Sequence, residues 1–213
     1  MPAGGGATAR LPALAMTSIL VVCTGNICRS PIAEGFLRDA LVRRFGSRAP
    51  AVSSAGTMGW EGSPASPESV IAAGERGSDI EAHEARELGR SMIEGADLIL
   101  CMAGEHREAV GAAVPEAARR TFTLKELVRL LEDLPGPTDD PDAIAVRIAA
   151  ADALRDGGGS GNPHDEDISD PLGLPLDTYR AIAWELDGWN TRLVAGLFGA
   201  EPDAPAPDRQ EAG

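Results

Sequence analysis

A short apolar run that passes directly into a small polar loop and then a proline constrains the fold more than any other part of the chain. The run Ser18 to Val22 is β-branched and apolar without alternation, as expected for a strand buried on both faces of a parallel sheet. Pro31, after the loop, suits the first position of a helix. Residues 18–46 therefore predict a strand, a tight loop and a helix ending near Gly46.

The same alternation of strands and helices continues along the chain. Further strands are predicted over residues 51–54, 96–102 and 121–123, and further helices over 69–76, 105–110, 143–154 and 179–197. Alternating elements of this kind favour a parallel sheet covered on both sides. We therefore expect an α/β fold, a four-stranded parallel sheet with helices on both faces, with the loop at 23–30 between the first strand and the first helix.

The 213 residues, 43% of them apolar, suit a single domain. We expect a disordered leader over 1–16, with translation starting at Met1 or Met16, one domain over 17–199 and a disordered tail over 200–213. An acidic, proline-rich and glycine-rich stretch at about 131–165 reads as an insertion into that domain.

Charge and cysteine usage limit the partners and the compartment. A formal net charge of -14 argues against a sequence-independent hold on nucleic acid or an anionic membrane surface, which needs a basic footprint. The three cysteines are irregularly spaced, unlike a secreted disulfide framework, and no run approaches the roughly 20 apolar residues of a membrane span. The sequence predicts a cytoplasmic protein, and nothing in it fixes the oligomeric state.

The loop after the first strand has the composition of an anion-binding nest at a helix N-terminus, where backbone N–H groups converge. Gly25 and Asn26 readily adopt left-handed backbone conformations, and the planar fork of Arg29 can hold two phosphate oxygens. Phosphate binding is predicted for the residues after the first cysteine: Thr24, Gly25, Asn26, Ile27, Cys28, Arg29 and Ser30.

Cys23 is the candidate nucleophile at the floor of this nest. The helix N-terminus and Arg29 favour its thiolate, the reactive form of a cysteine, and a thiolate facing a bound phosphorus can attack it. A buried cysteine alone is usually inert packing, but here it is followed by five residues, an arginine and a serine between a strand and a helix. The Walker-type signature of nucleotide triphosphate sites is missing.

These residues carry a resemblance to the low-molecular-weight protein tyrosine phosphatases, whose signature is Cys, five residues, Arg and then Ser or Thr near the N-terminus. The resemblance continues through Ser54-Ala55-Gly56-Thr57, through His83 and through the strand at 96–102. It implies that Ser30 donates a hydrogen bond to the thiolate. It also implies that Asn26, Ser54 and His83 support the shape of the loop.

The family also uses a general acid from an Asp-Pro pair late in the chain, and Asp170-Pro171 matches that pair. The resemblance makes Asp170 the group that protonates the leaving phenolate and then activates water. Rival carboxylates remain in the surrounding acidic segments, among them Asp139, Asp140, Asp165, Glu166 and Asp167.

Cys28 follows Cys23 by five positions, close enough for a disulfide if the loop brings the two sulfurs together. In the family such a pair is a reversible redox shield for the nucleophile, although Cys28 could instead simply pack beneath the loop. Cys101 is interpreted as a core residue.

Three residues bear on the substrate. Ile27 stands where protein-arginine phosphatases of this fold typically have Thr, and Trp60 matches an aromatic that flanks the entering phenyl ring; both favour phosphotyrosine. Leu172 stands where many relatives have Tyr, which removes an aromatic wall and resembles the arginine phosphatases instead.

The resemblance implies a phosphatase for phosphotyrosine on proteins, with a phosphorylated protein as partner and no cofactor or metal. A protein-arginine phosphatase and an arsenate reductase are alternatives on the same scaffold, the latter short of cysteines for an intramolecular relay. A phosphoprotein-binding module without catalysis is the non-enzymatic alternative.

Overall fold

The computed structural model describes residues 18–137, 143–156 and 166–200. In chain order its strands and α-helices are β1 (Ser18–Cys23), α1 (Arg29–Phe45), β2 (Ala51–Gly56), α2 (Pro67–Gly74), α3 (Arg90–Gly95), β3 (Leu98–Cys101), α4 (Gly104–Ala113), β4 (Thr121–Thr123), α5 (Leu124–Glu132), α6 (Ala143–Asp156) and α7 (Leu176–Phe198). Short 3-10 helices occupy Gly46–Arg48 and Pro115–Arg120.

The four strands form one parallel sheet in the order β2-β1-β3-β4. Strand β1 is central, and its Val22 pairs with Ala55 on β2 and with Cys101 on β3. The carboxyl ends of parallel strands meet at one edge of a sheet, and this is where such sheets place their ligands. The loop after β1 lies at that edge.

Successive side chains of a strand point to opposite sides of the sheet, and each side packs against helices. Ile19, Val21 and Cys23 belong to the larger apolar cluster, which includes core residues of α1, α5, α6 and α7. Leu20 and Val22 belong to a smaller cluster that includes residues of α3 and α4. The predicted four-stranded parallel α/β fold is confirmed.

The bounds of several elements differ from the sequence expectation. Helix α1 begins at Arg29, so Pro31 is its third residue, where its missing N–H still costs no intrahelical bond. Helix α2 spans Pro67–Gly74 rather than 69–76, since the Ser66 hydroxyl caps it by accepting from the Ser69 N–H. Helix α7 begins three residues before Tyr179, at Leu176.

Helices α3 and α5 are not predicted from the sequence. Helix α5 carries a full capping box, in which the Thr123 hydroxyl accepts from the Glu126 N–H and the Glu126 carboxylate accepts from the Thr123 N–H. Leu127, Val128 and Leu131 are buried in the larger cluster. The sequence therefore did contain a signal for helix α5, the pattern Thr-x-x-Glu ahead of an apolar stripe.

The expected leader over 1–16, nearly all of the expected tail and part of the expected insertion lie outside the described residues. Within the described ranges, no helix combines the length and the apolar character needed to span a membrane.

Candidate active site

The loop between β1 and α1 wraps tightly around the carboxyl end of the sheet. Asn26 adopts a left-handed conformation with φ 57°, the one non-glycine among the described residues with positive φ, whereas Gly25 lies outside that region. Backbone N–H groups of the segment after β2 donate to carbonyls of the loop, Met58 to Thr24 and Trp60 to Gly25. The segment after β2 thus holds the loop in place.

Gly56 permits this close approach. A Cβ on Gly56 would lie 2.3 Å from the Thr24 carbonyl oxygen and 2.9 Å from the Gly59 Cα. Both contacts are with backbone, which has no flexible side chain to move aside. Any larger residue at the end of β2 would therefore displace the loop.

Cys23 is buried at the base of the loop, and its sulfur has two polar neighbours. The Ser30 Oγ lies 2.9 Å from the Cys23 Sγ, and the Asn26 backbone N–H donates to that sulfur over 3.3 Å. Because Ser30 Oγ accepts from Asn26 Nδ2 at 2.8 Å, its own proton is available for the sulfur. Both contacts stabilise negative charge on Cys23.

Asn26 is the centre of the hydrogen-bond network beneath the loop. Its amide nitrogen donates to the Oγ atoms of Ser30 and Ser54, at 2.8 and 2.7 Å, and its Oδ1 accepts from the Arg86 N–H at 2.8 Å. The Asn26 carbonyl accepts from His83 Nε2 at 2.8 Å. Every polar group of this fully buried side chain is therefore paired.

Arg29 and Asp170 meet directly at the mouth of the loop. Arg29 Nη2 lies 2.6 Å from Asp170 Oδ2 and also donates to Thr24 Oγ1 at 3.1 Å, while Nη1 donates to the Ile168 carbonyl at 3.1 Å. The Arg29 side chain is 5% exposed and that of Asp170 is 43% exposed. The guanidinium is thus held in place, and the carboxylate stays open to solvent and ligand.

The rival carboxylates within the described residues point elsewhere. Glu166 is buried among arginines, with its oxygens near Arg107 and Arg129. Asp167 Oδ1 accepts from the Gly104 N–H at 2.8 Å. Asp139, Asp140 and Asp165 lie outside the described residues, so Asp170 is the predicted carboxylate that lines the cavity over Cys23.

A cavity of about 160 Å³ lies above Cys23. Cys23, Arg29 and Asp170 line its polar side, and Ile27, Met58, Trp60 and Leu172 contribute apolar wall. A wider groove of about 500 Å³ shares Ile27, Trp60 and Leu172 and extends towards Leu174 and Tyr179. Trp60 and Leu172, each about half exposed, are the walls that the sequence predicts.

All three cysteines are free thiols. Cys28 lies beneath the loop, its Sγ 3.8 Å from the hydroxyls of both Ser66 and Tyr179. Burial raises the pKa of the Cys28 thiol, so it stays protonated at neutral pH. Burial also raises the pKa of Cys101, which lies in the core of β3 as expected.

Three residues of the site are not predicted from the sequence: Glu34 on the neighbouring helix α1, and Arg86 and His106 from distant parts of the chain. Glu34 accepts from Ser54 Oγ at 2.5 Å, and Arg86 donates to the Ser54 carbonyl at 2.9 Å. His106 Nε2 lies 3.0 Å from Thr24 Oγ1. Glu34 faces the network from α1, one turn after the loop, and only that spacing could have suggested it.

His106 is buried as a neutral base. His106 Nε2 contacts Thr24 Oγ1 and lies 3.4 Å from Glu105 Oε1, whereas its buried Nδ1 has no hydrogen-bond partner among the described residues. Burial, and then the Arg29 charge, lower the pKa of His106 to about 4. His106 therefore extends the loop network without carrying charge at neutral pH.

Together, the sheet, the loop and the facing carboxylate define the class of a cysteine-dependent phosphatase. The family model described as low molecular weight phosphotyrosine protein phosphatase matches residues 18–146. This chain belongs to that family.

Two curated relatives point to different substrates. A probable low molecular weight protein-tyrosine-phosphatase EpsP from Ralstonia solanacearum is 41% identical over 147 residues, 64% of this chain and 92% of that protein. A protein-arginine-phosphatase from Geobacillus stearothermophilus is 32% identical over 179 residues, 84% of this chain and 95% of that protein.

The solved structures agree on the fold. The crystal structure of the Erwinia amylovora tyrosine phosphatase AmsI superposes with a TM-score of 0.64 at 26% identity, covering 86% of this chain and 94% of that one. The YwlE arginine phosphatase from Geobacillus stearothermophilus has a TM-score of 0.63 at 31% identity, covering 85% and 92%.

Proposed function

We propose that this protein hydrolyses phosphotyrosine on proteins through a phosphocysteine intermediate, with Cys23 as nucleophile, Arg29 as phosphate anchor and Asp170 as general acid and base. One observation carries the proposal: the three side chains line a single cavity, over a loop whose backbone N–H groups lie at a helix N-terminus. No binding module needs a nucleophile and a facing carboxylate.

In the first step the Cys23 thiolate attacks phosphorus and the bond from phosphorus to the tyrosine oxygen breaks. Asp170 gives its proton to that oxygen, so a neutral phenol leaves. Arg29 and the loop N–H groups hold the charge on the phosphoryl oxygens. Asp170, 2.6 Å from Arg29 in this structure, is within reach of any group held by that guanidinium.

In the second step water replaces the phenol. The Asp170 carboxylate takes a proton from the water while the water oxygen attacks phosphorus, and the sulfur–phosphorus bond breaks. Ser30, 2.9 Å from the sulfur, stabilises the departing thiolate. Asn26 fixes the direction of the Ser30 hydroxyl, and Ser54, Glu34 and Arg86 hold Asn26 from below.

The walls of the cavity favour an aromatic substrate. Ile27 is an apolar residue of the loop, and Trp60 lines the cavity, where stacking on a phenyl ring would contribute about 0.5 to 1.5 kcal/mol. The adjoining groove gives room for the peptide on either side of the phosphotyrosine. A protein-arginine phosphatase is the second candidate, since Leu172 supplies no aromatic surface and a relative of that name covers most of the chain.

Paired substrates test the proposal. Wild-type protein and Cys23→Ser are compared on p-nitrophenyl phosphate, and then on phosphotyrosyl and phosphoarginyl forms of one peptide. We expect hydrolysis only with Cys23 present and a higher kcat/KM for the phosphotyrosyl form. A preference for the phosphoarginyl form would instead identify a protein-arginine phosphatase. Activity of Cys23→Ser equal to wild type would refute the mechanism.

We also propose that the protein works in a reducing compartment, the cytoplasm, because its three cysteines are free thiols. In that setting Cys28 serves as a redox partner for Cys23. Fractionation of cells expressing the tagged protein tests the location.

A further inference from the structure

A buried charge cluster lies behind the segment that carries Asp170. It contains Glu126 and Glu166, with side chains 1% and 4% exposed, and three arginines from three helices, Arg107 on α4, Arg129 on α5 and Arg155 on α6. Two carboxylates out of water among three guanidiniums are costly unless each is paired. None of these five residues lines the cavity over Cys23.

The pairs form a continuous chain from α6 to the segment. Arg155 Nε lies 3.1 Å from Glu126 Oε1, and the same oxygen lies 2.8 Å from Arg107 Nη1. Arg107 Nη1 in turn lies 3.9 Å from Glu166 Oε2. Arg129 Nη2 lies 3.3 Å from the other Glu166 oxygen, an ion-pair contact without hydrogen-bond geometry. Glu166 stands four residues before Asp170.

Arg155 is itself held firmly. Its guanidinium stacks on the Phe122 ring, 4.1 Å from the centroid, and donates to the Thr121 carbonyl at 3.0 Å. It therefore presents a fixed charge to Glu126 rather than a mobile surface charge. This ties α6, which lies inside the stretch predicted as an insertion, to the core beneath the site.

The segment from Glu166 to Ile168 is anchored residue by residue. Lys125 donates to the Asp167 carbonyl at 2.8 Å, and the Ile168 N–H donates to the Met102 carbonyl at 2.7 Å. The Ile168 carbonyl then accepts from Arg29. Glu166 is the one residue of the three with a buried carboxyl group, and burial followed by the nearby Glu126 raises its pKa.

We propose that Glu166 is a positioning residue for the general acid Asp170, and that Arg155 on α6 acts on it through Glu126 and Arg107. The cluster fixes the point at which the segment from Glu166 to Asp170 leaves the core. It thereby sets the position of the Asp170 carboxyl relative to the leaving group. The inference rests on the proposed function, in which Asp170 protonates the departing phenol.

The test compares two leaving groups. Phenolate is a poorer leaving group than p-nitrophenolate and depends more on proton transfer, so a displaced acid slows phenyl phosphate more than p-nitrophenyl phosphate. The value of kcat/KM reports steps up to departure of the phenol. The ratio of the two kcat/KM values is independent of the fraction of protein that is folded.

Glu166→Gln keeps the shape of the side chain and removes its charge. We expect it to lower kcat/KM for phenyl phosphate on the order of tenfold, and for p-nitrophenyl phosphate by only about two- to threefold. Arg155→Gln should change the ratio in the same direction by a smaller factor. Glu132→Gln, which removes an exposed carboxylate paired with Arg192 on the protein surface, is the matched control and should leave the ratio unchanged.

Asp170→Asn separates this inference from the proposed function. If Asp170→Asn leaves the ratio at the wild-type value, the assignment of the acid is wrong. If Asp170→Asn shifts the ratio but Glu166→Gln behaves like Glu132→Gln, the acid stands and the positioning role is refuted. We expect Glu166→Gln to add nothing to the ratio once Asp170→Asn is present. Should Glu166→Gln not fold, Arg129→Gln removes the opposing charge from a partly exposed position and must shift the ratio the same way, or the inference fails.

Discussion

Replacement of Asn26 tests how much of the loop depends on a single side chain. Asn26→Ala removes the bonds to Ser30, to Ser54 and from the Arg86 N–H, each worth about 1 kcal/mol. Alanine at φ 57° adds about 1 kcal/mol of backbone strain. We therefore expect Asn26→Ala to lower the free energy of unfolding by about 4 kcal/mol.

Asn26→Gly separates the two contributions. Glycine loses the same hydrogen bonds but accepts the left-handed backbone, so its loss should be smaller than that of alanine by about 1 kcal/mol. Both variants should also lose activity, because Ser30 is no longer oriented towards Cys23. Urea unfolding followed by tryptophan fluorescence gives the stabilities, and p-nitrophenyl phosphate gives the rates.

Asn190→Ala is the matched control. Asn190 is equally buried but lies on α7, where its side chain donates to the Ala33 carbonyl at 3.0 Å. It should lose stability and keep the wild-type kcat per folded molecule. The reasoning is refuted if Asn26→Ala and Asn26→Gly have equal stabilities, or if either loses less than about 1 kcal/mol.

The remaining predictions concern pH, substrate and oxidation. His106 has a pKa lowered to about 4, so between about pH 6.5 and 4 the unfolded chain binds a proton that the folded protein does not. The free energy of unfolding should fall by about 3 kcal/mol across this window, and His106→Gln should flatten that part of the stability profile; parallel profiles would contradict the assignment. Trp60→Ala should lower kcat/KM for a phosphotyrosyl peptide about two- to tenfold without changing inhibition by inorganic phosphate, whereas Trp184→Ala, an exposed residue on α7, should change neither. After brief peroxide treatment, dithiothreitol should restore wild-type activity but not that of Cys28→Ser; equal recovery of the two would rule out a Cys23–Cys28 disulfide.

The fold was predictable because its signals are local. Strands β1 and β3 are each marked by an apolar, non-alternating run, and α1 by a proline within its first turn. Each of these signals lies within the element that it predicts. The loop is equally local, since one strand end and one helix start bound all of it. Element ends were less predictable, because caps such as Ser66 act outside the apolar pattern.

The supporting network was only partly predictable, because topology rather than spacing assembles it. Arg86 reaches Asn26 across 60 residues of sequence and His106 reaches Thr24 across 82. The same holds for the buried cluster of Glu126 and Glu166, whose three arginines come from three helices. Sequence alone marks these residues as ordinary charged or polar positions, and only the packed structure shows that they are buried and paired.

The phosphocysteine intermediate is the central claim, and trapping it is the most direct measurement. A phosphotyrosyl peptide is mixed with wild-type protein and with Asp170→Asn, quenched rapidly in acid, digested and analysed by mass spectrometry. One phosphoryl group should appear on Cys23, and it should be absent from the corresponding peptide of Cys23→Ala. Phosphate on any other residue, or turnover by Cys23→Ser at the wild-type rate, would contradict the account.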